Sequence, residues 1–317
     1  MPPTSSIDDR RRRSGVLRPI IHVGFGHSGT TSLQVNVFTK RPEFFYAGIP
    51  YGELGGIFSC IKYQDIHEYD PVTVRGLCEQ LIFEKMRRDQ RLLISDETFV
   101  DQPAIYYTPA MIPAQMVAMR LREQFGACEV LFTLRNQYRY VVSNYLVLKR
   151  NYASLAHRVI EPFDDWFAGN QTQVRNLFLR NLDVSQAINV YQHAFGRDAV
   201  HVLPLELITE DGTASYLSAL GAILGVRFSE EEIRSYVALN VSPPHDIVLN
   251  DEQRIFIQQR SGRGNALIAR EFNLPLREYG YPMPDDAEPG LVSPTRSGGS
   301  PSFFASSMRS SGQYSDA

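Results

Sequence analysis

Between Pro19 and Gln34 the sequence reads PIIHVGFGHSGTTSLQ, and this stretch restricts the architecture more than any other. Ile20 to Val23 is apolar and β-branched around His22, a composition suited to a parallel strand buried on both faces. Gly24, Gly26 and Gly29 then let the backbone turn tightly and bring its N–H groups close to a ligand that side chains would hold off. Thr30, Thr31 and Ser32 open an amphipathic helix, whose free N–H groups and dipole favour an anion. Strand, glycine-rich loop and helix in this order predict an α/β fold with a phosphate site at the carboxyl end of its first strand.

One residue decides which phosphate. The nucleotide triphosphatase loop is GxxxxGK followed by Ser or Thr, its lysine reaching the terminal phosphates. Gly24 to Thr31 reads GFGHSGTT, with Thr30 where that lysine would stand. A kinase or ATPase is therefore weakened at its central residue. The SGTT run followed by Leu33 and Gln34 resembles instead the 5′-phosphosulfate loop of sulfotransferases, which use 3′-phosphoadenosine 5′-phosphosulfate (PAPS) and share the P-loop ancestry. The resemblance implies a P-loop NTPase-like fold of three layers, a central parallel sheet flanked by helices. It also implies that Gly26, His27, Ser28, Gly29, Thr30, Thr31 and Ser32 hold the phosphosulfate.

A second motif supports the first. Glu129 to Leu134, EVLFTL, reads as another buried strand and runs into Arg135, with Ser143 eight residues later and Tyr145 beyond it. This resembles the sulfotransferase 3′-phosphate motif RNPxxxxxSxY. Arg135 offers a planar, permanently charged fork for the 3′-phosphate, and Ser143, on the following helix, adds a hydroxyl. Taken alone, an arginine at a strand end is more often a surface ion pair. Two such motifs in the right order, each at a strand end, are far more specific.

The chain departs from the family pattern at two positions. His27 stands where the loop commonly carries a lysine that neutralises the leaving phosphosulfate oxygen; a neutral imidazole is a weaker electrostatic partner. Either the anionic cofactor holds His27 protonated or activity is reduced. Gln137 replaces the usual proline, which removes rigidity at the helix start.

Arg91 to Ser95, RLLIS, is a third strand and delivers Asp96 and Glu97 to its carboxyl end, where ligands bind in open α/β sheets. Sulfuryl transfer needs a base for the proton of the attacking hydroxyl or amine. In the carbohydrate-type sulfotransferases that the chain resembles, a glutamate at this strand end is the proposed base, which assigns the role to Glu97. The competing role for Asp96 or Glu97 is to cap the segment that follows or to pair with a cation.

With 317 residues, 43% hydrophobic and 21% charged, the chain is long enough for one large α/β domain. Its net charge of −3 gives no reason to expect nucleic acid as a partner. Cys60, Cys78 and Cys128 are widely spaced and odd in number, a pattern of neither a disulfide framework nor a zinc site, and one that fits a reducing cytoplasm. No apolar run approaches the roughly 20 residues of a membrane span, and the amino terminus lacks the apolar core of a signal peptide. The expected organisation is a disordered basic arm over residues 1–18, one α/β domain over 19–284, and a disordered Ser/Gly/Pro-rich tail over 285–317.

Within the domain, strands are expected near residues 20, 92, 130 and 200, and a helix from Asp70 to Gln90 with Lys85, Arg87 and Arg88 at its carboxyl end. The aromatic, glycine-rich segment from Phe44 to Phe58 reads as a loop, either substrate-contacting or buried, with Glu53 a secondary candidate for acid–base chemistry or substrate contact. The methionines near residue 116 read as core filling, and Trp166 as a core anchor or a stacking platform. Pro204 to Ile208 resembles the segment that follows a late strand in sulfotransferases. Gln259 to Asn265 reads as a surface turn, although the family's basic, glycine-containing segment over the 3′-phosphate gives Arg263 a possible cofactor-binding role.

Together these readings predict in-line transfer of a sulfuryl group from PAPS to an acceptor, with no metal required by the scheme. Glu97 and His27 are the catalytic residues; the loop, Arg135, Ser143 and Arg263 hold the cofactor. A carbohydrate, a glycolipid or a small metabolite is the expected acceptor. A P-loop kinase with an altered loop and a non-catalytic nucleotide-binding protein are the alternatives.

Overall fold

The structure is a computed structural model that describes residues 17–100, 112–155, 161–172, 182–239 and 245–284. The basic arm up to residue 16 and the tail from Asp285 lie outside these residues. The described chain begins with β1 (Ile20–Gly24), α1 (Thr30–Asn36), β2 (Phe44–Gly48), α2 (Gly55–Tyr63), α3 (Pro71–Cys78) and β3 (Arg91–Ser95). It continues with α4 (Ala114–Phe125), β4 (Glu129–Leu134), α5 (Gln137–Leu155), α6 (Phe163–Thr172) and α7 (Val184–Phe195). It ends with β5 (Val200–Pro204), α8 (Glu206–Leu224), α9 (Glu230–Ser235) and α10 (Asp251–Phe272).

The five strands form one sheet in the order β2-β3-β1-β4-β5, and every pairing is parallel. Side chains alternate between its faces, as the period of two demands. Ile21, Val23, Ile94, Val130 and Phe132 face a thick layer built by α2 to α7 and α10. Ile20, Leu93, Leu131 and Leu203 face a thinner layer, where Leu33 of α1 and Tyr216, Leu217, Leu220 and Leu224 of α8 cover them. Ile20, Ile21, Val130 and Leu131 are wholly buried, and each such side chain contributes about 1.5–3 kcal/mol relative to exposure. The result is a three-layer α/β architecture of the P-loop type.

Several local expectations are corrected. Phe44 to Gly48 is a strand, not a loop; its aromatic side chains cover the edge of the sheet beside β3. The helix at Asp70 is shorter than the charge pattern suggested. Asp70 caps it, accepting from Val72 N at 3.0 Å and Thr73 N at 3.3 Å, but it ends in a π-turn over Glu79–Phe83. Lys85 instead pairs with Glu53, whose carboxylate lies on the exposed surface. Gln259 to Asn265 is not a turn but part of α10, because Gly262 and Gly264 let the backbone of Met283–Pro284 and the side chain of Asp183 press against the helix. Met119 is exposed, while Val117, Leu121 and Phe125 form the core face of α4. Trp166 packs between Tyr145 and Phe163 as a core residue.

Candidate functional site

The sheet register brings the carboxyl ends of the strands to one rim. Gly24 pairs with Thr133, Gly48 with Ser95, and Leu134 with Pro204. The glycine-rich loop, Asp96–Glu97, Arg135 and Leu205–Glu206 therefore emerge along the same edge, with β1 flanked by β3 and β4 at its centre.

The loop is held from below. A Cβ on Gly24 would stand 2.1 Å from Thr30 Cγ2 and 2.7 Å from Thr133 Oγ1, so the loop closes only on glycine there. Gly29 adopts a φ of 82° and caps α1, and a Cβ on it would meet Leu205 Cδ1 at 2.8 Å. His27, between them, also takes a positive φ of 66°, a conformation that few non-glycine residues adopt. Ser28 is wholly buried. Its hydroxyl donates to the Phe25 carbonyl at 2.6 Å and lies 2.9 Å from Thr133 Oγ1. Ser32 Oγ accepts from Leu239 N at 2.8 Å. Both serines thus turn their hydroxyls into the frame of the loop, and what they leave toward a ligand is backbone.

Beneath it, His22 joins three strands: its ring meets Ser95 Oγ at 2.8 Å and Thr133 Oγ1 at 3.3 Å. Gln34 of α1 donates to the same Ser95 Oγ at 3.0 Å. Burial pulls the His22 pKa down to about 3, so the ring is a neutral, hydrogen-bonded floor.

Asp96 and Glu97, adjacent in sequence, have separate environments. Asp96 is wholly buried; it accepts from Thr98 N at 2.8 Å and meets Lys62 Nζ at 2.7 Å. Burial pushes the Asp96 carboxyl up and the Lys62 ammonium down, while their contact favours both charges. Asp96 is the cap of a short 3-10 turn, Glu97–Phe99. That turn presents Glu97 to the loop, where Thr30 Oγ1 donates to Glu97 Oε2 at 2.9 Å.

On the other side, Arg135 Nη1 donates to Ser143 Oγ at 3.0 Å and to the His27 carbonyl at 2.8 Å. Burial lowers the Arg135 pKa from its ordinary value, opposed by Glu206. His27 is pulled down to about 4, first by burial, then by Arg135 and Arg150, against a hydrogen bond with Asn144. Without an anion beside it the imidazole is therefore neutral at pH 7. Two guanidiniums acting on one imidazole make a positively biased rim.

The structure thus brings His27, Thr30, Glu97, Arg135 and Ser143 into one connected group. Arg263 stands apart on the exposed face of α10, carried by a regular helix. Glu206, Tyr281, Asn136 and Lys62 were not singled out from sequence. The one available signal was Glu206, a carboxylate two residues past the end of β5.

No family model matches the sequence, and no curated protein does. Solved structures do. A sulfotransferase from Alicyclobacillus acidocaldarius is 16% identical, with a TM-score of 0.51 over 84% of this chain and 100% of that one. The sulfotransferase domain of the Synechococcus PCC 7002 olefin synthase is 12% identical, with a TM-score of 0.42 over 80% and 94%. Mouse sulfotransferase SULT7A1 complexed with PAP is 14% identical, with a TM-score of 0.39 over 83% and 88%. The first of these shows the fold: the chain is built on the sulfotransferase architecture.

Proposed function

We propose that this protein transfers a sulfuryl group from PAPS to the hydroxyl or amine of an acceptor. The observation that carries the reading is one guanidinium. Arg135 Nη1 binds both Ser143 Oγ and the His27 carbonyl, and so ties together two motifs that lie 108 residues apart. Chance resemblance of either motif gives no reason for them to meet.

PAPS supplies a sulfuryl group on a phosphate leaving group. Toward it, Arg135 and Ser143 bind the 3′-phosphate, and the backbone N–H groups of the loop and of Thr30, Thr31 and Ser32 hold the 5′ end. The donor set fits a nucleotide with anionic groups at both positions, since the rim carries Arg135 on one side and a backbone cradle on the other. Glu97 takes the proton of the attacking hydroxyl or amine; the contact of its Oε2 with Thr30 Oγ1, beside the loop, supports this role. His27 gains a proton when an anion offsets the charges of Arg135 and Arg150, and then steadies the charge on the leaving phosphate. A carbohydrate, a glycolipid or a small metabolite is the acceptor class. The wide spacing and odd number of Cys60, Cys78 and Cys128 favour a reducing, cytoplasmic setting for the reaction; among the described residues no helix is long and apolar enough to cross a membrane.

Calorimetric titration with 3′-phosphoadenosine 5′-phosphate, against ADP with magnesium, tests the reading. Tight binding of the 3′-phosphorylated nucleotide, lost in Arg135→Ala, is the expected result. A preference for ADP with magnesium returns the loop to the kinase class.

A further inference from the structure

At the end of β5 the chain turns through Pro204, Leu205 and Glu206, to which the reaction above gives no part. This corner touches both halves of the site. Leu205 N donates to the Leu134 carbonyl at 2.8 Å, one residue before Arg135, and its side chain closes over Gly29 of the loop. Glu206 is 1% exposed. Its Oε1 accepts from the backbone N–H of Asn136 at 3.0 Å, and its Oε2 from the Tyr281 hydroxyl at 2.6 Å.

A carboxylate is buried at high cost unless it is bonded and stands near a cation. Both conditions hold here. The Asn136 N–H follows directly on Arg135, so the first bond fixes the turn that aims the guanidinium. The charge of Glu206 also acts on Arg135, against burial and against the repulsion of Arg139. Tyr281 ties the arrangement to the end of the described chain: Asn136 Nδ2 donates to the Tyr279 carbonyl at 3.2 Å and to the Gly280 carbonyl at 2.7 Å. Burial and Glu206 push the Tyr281 phenol up, so it remains a donor.

We propose that Glu206 is the positioning residue of the 3′-phosphate site: it stands behind the nucleotide, aims Arg135 through the Asn136 turn, and balances the guanidinium charge, with Tyr281 as its second anchor. The proposal rests on the sulfotransferase reading and deepens it. Arg135 then faces the ligand already oriented, and no reorganisation is needed when the 3′-phosphate arrives.

The test compares two ligands on the full chain: 3′-phosphoadenosine 5′-phosphate, and adenosine 5′-monophosphate, which lacks the 3′-phosphate. Calorimetry gives the ratio of their dissociation constants for the wild type, Glu206→Gln and Tyr281→Phe. The expected result is a ratio reduced about tenfold in Glu206→Gln, the size of a lost charge-assisted contact, and reduced less in Tyr281→Phe. Affinity for adenosine 5′-monophosphate stays near that of the wild type. A wild-type ratio in both variants overturns the proposal. So does an equal loss of both ligands with a fall in Tm, which is what a merely structural role produces. If Glu206→Gln does not fold, Tyr281→Phe decides by the same ratio. A wild type that shows no preference for the 3′-phosphorylated ligand sinks the sulfotransferase reading itself, an outcome distinct from an unchanged variant.

Discussion

The loop over Gly24–Ser32 and the corner at Arg135–Ser143 face the same crevice, but they are built in opposite ways. In the loop, side chains are committed to the frame: Ser28 to Phe25 and Thr133, Ser32 to Leu239, Thr30 to Glu97. What remains for a ligand is mainly backbone, with the His27 imidazole beside it. At the corner the anion-binding group is a side chain, Arg135, held by Ser143 Oγ and the His27 carbonyl and balanced by the charge of Glu206. A backbone cradle depends first on the absence of a Cβ where Gly24 and Gly29 stand. A side-chain site depends on the fork itself.

Four substitutions or conditions break or sharpen this contrast. The largest effect is expected from Glu97→Gln, whose amide oxygen can still accept from Thr30 Oγ1 and so keeps the frame of the loop. Its turnover should fall about 10²–10⁴-fold, the worth of a general base. Nucleotide affinity should not weaken, because a negative charge beside an anion has been removed; an affinity loss measured by calorimetry would show Glu97 to be part of the cradle instead. Arg135→Lys comes next. A lysine keeps the charge and loses the fork, so the dissociation constant for 3′-phosphoadenosine 5′-phosphate should rise about 10–100-fold. If it does not, the corner works by charge alone and the contrast collapses.

The third test is acidity. His22 and His27 are held near pKa values of about 3 and 4 in the folded chain, below the ordinary 6.5, because burial disfavours their charged forms. The unfolded chain therefore binds protons more readily than the folded one. The stability these groups contribute is fully present above pH 6.5 and is lost as pH falls toward 4 and then 3, by about 1.4 kcal/mol per group for each pH unit. Urea unfolding at pH 7.5, 6 and 5 measures it. His22→Gln should flatten the slope, and saturating nucleotide should flatten the part due to His27, since a bound anion favours its imidazolium. The smallest effect belongs to Ser28→Ala. It should lower stability by about 1 kcal/mol through the lost bonds to Phe25 and Thr133, with nucleotide affinity unchanged because the hydroxyl faces inward.

The same contrast governs how much could be read from sequence. The strand, loop and helix, and the spacing of Arg135 and Ser143, are local patterns, and local patterns survive in one dimension. Which of Asp96 and Glu97 reaches the loop depends on Lys62, 34 residues away, and nothing in the neighbouring sequence separates the two acids. The inward turn of Ser28 requires Thr133, and the place of Glu206 requires Asn136 and Tyr281. The strand at Phe44–Gly48 was hidden by its own glycine and aromatic content, because it lies at a sheet edge and lacks the β-branched run of a central strand. Gly262 and Gly264 read as breakers, yet they serve α10 by letting other chain segments approach. Lys85, Arg87 and Arg88 suited the carboxyl end of a longer helix, but the chain leaves helical geometry after Phe83 and uses Lys85 to hold Glu53.

The parallel sheet also sets an order in time. Ile20 pairs with Leu93 and Glu129, and Asn136 meets Gly280 across 144 positions of chain. A growing chain thus has its loop long before Arg135, and Arg135 long before the Tyr281 hydroxyl that steadies Glu206. Pairings this distant in sequence are slow to form. The proposed 3′-phosphate site is therefore complete only late in the chain, and a nucleotide that fills it would stabilise the finished molecule by mass action.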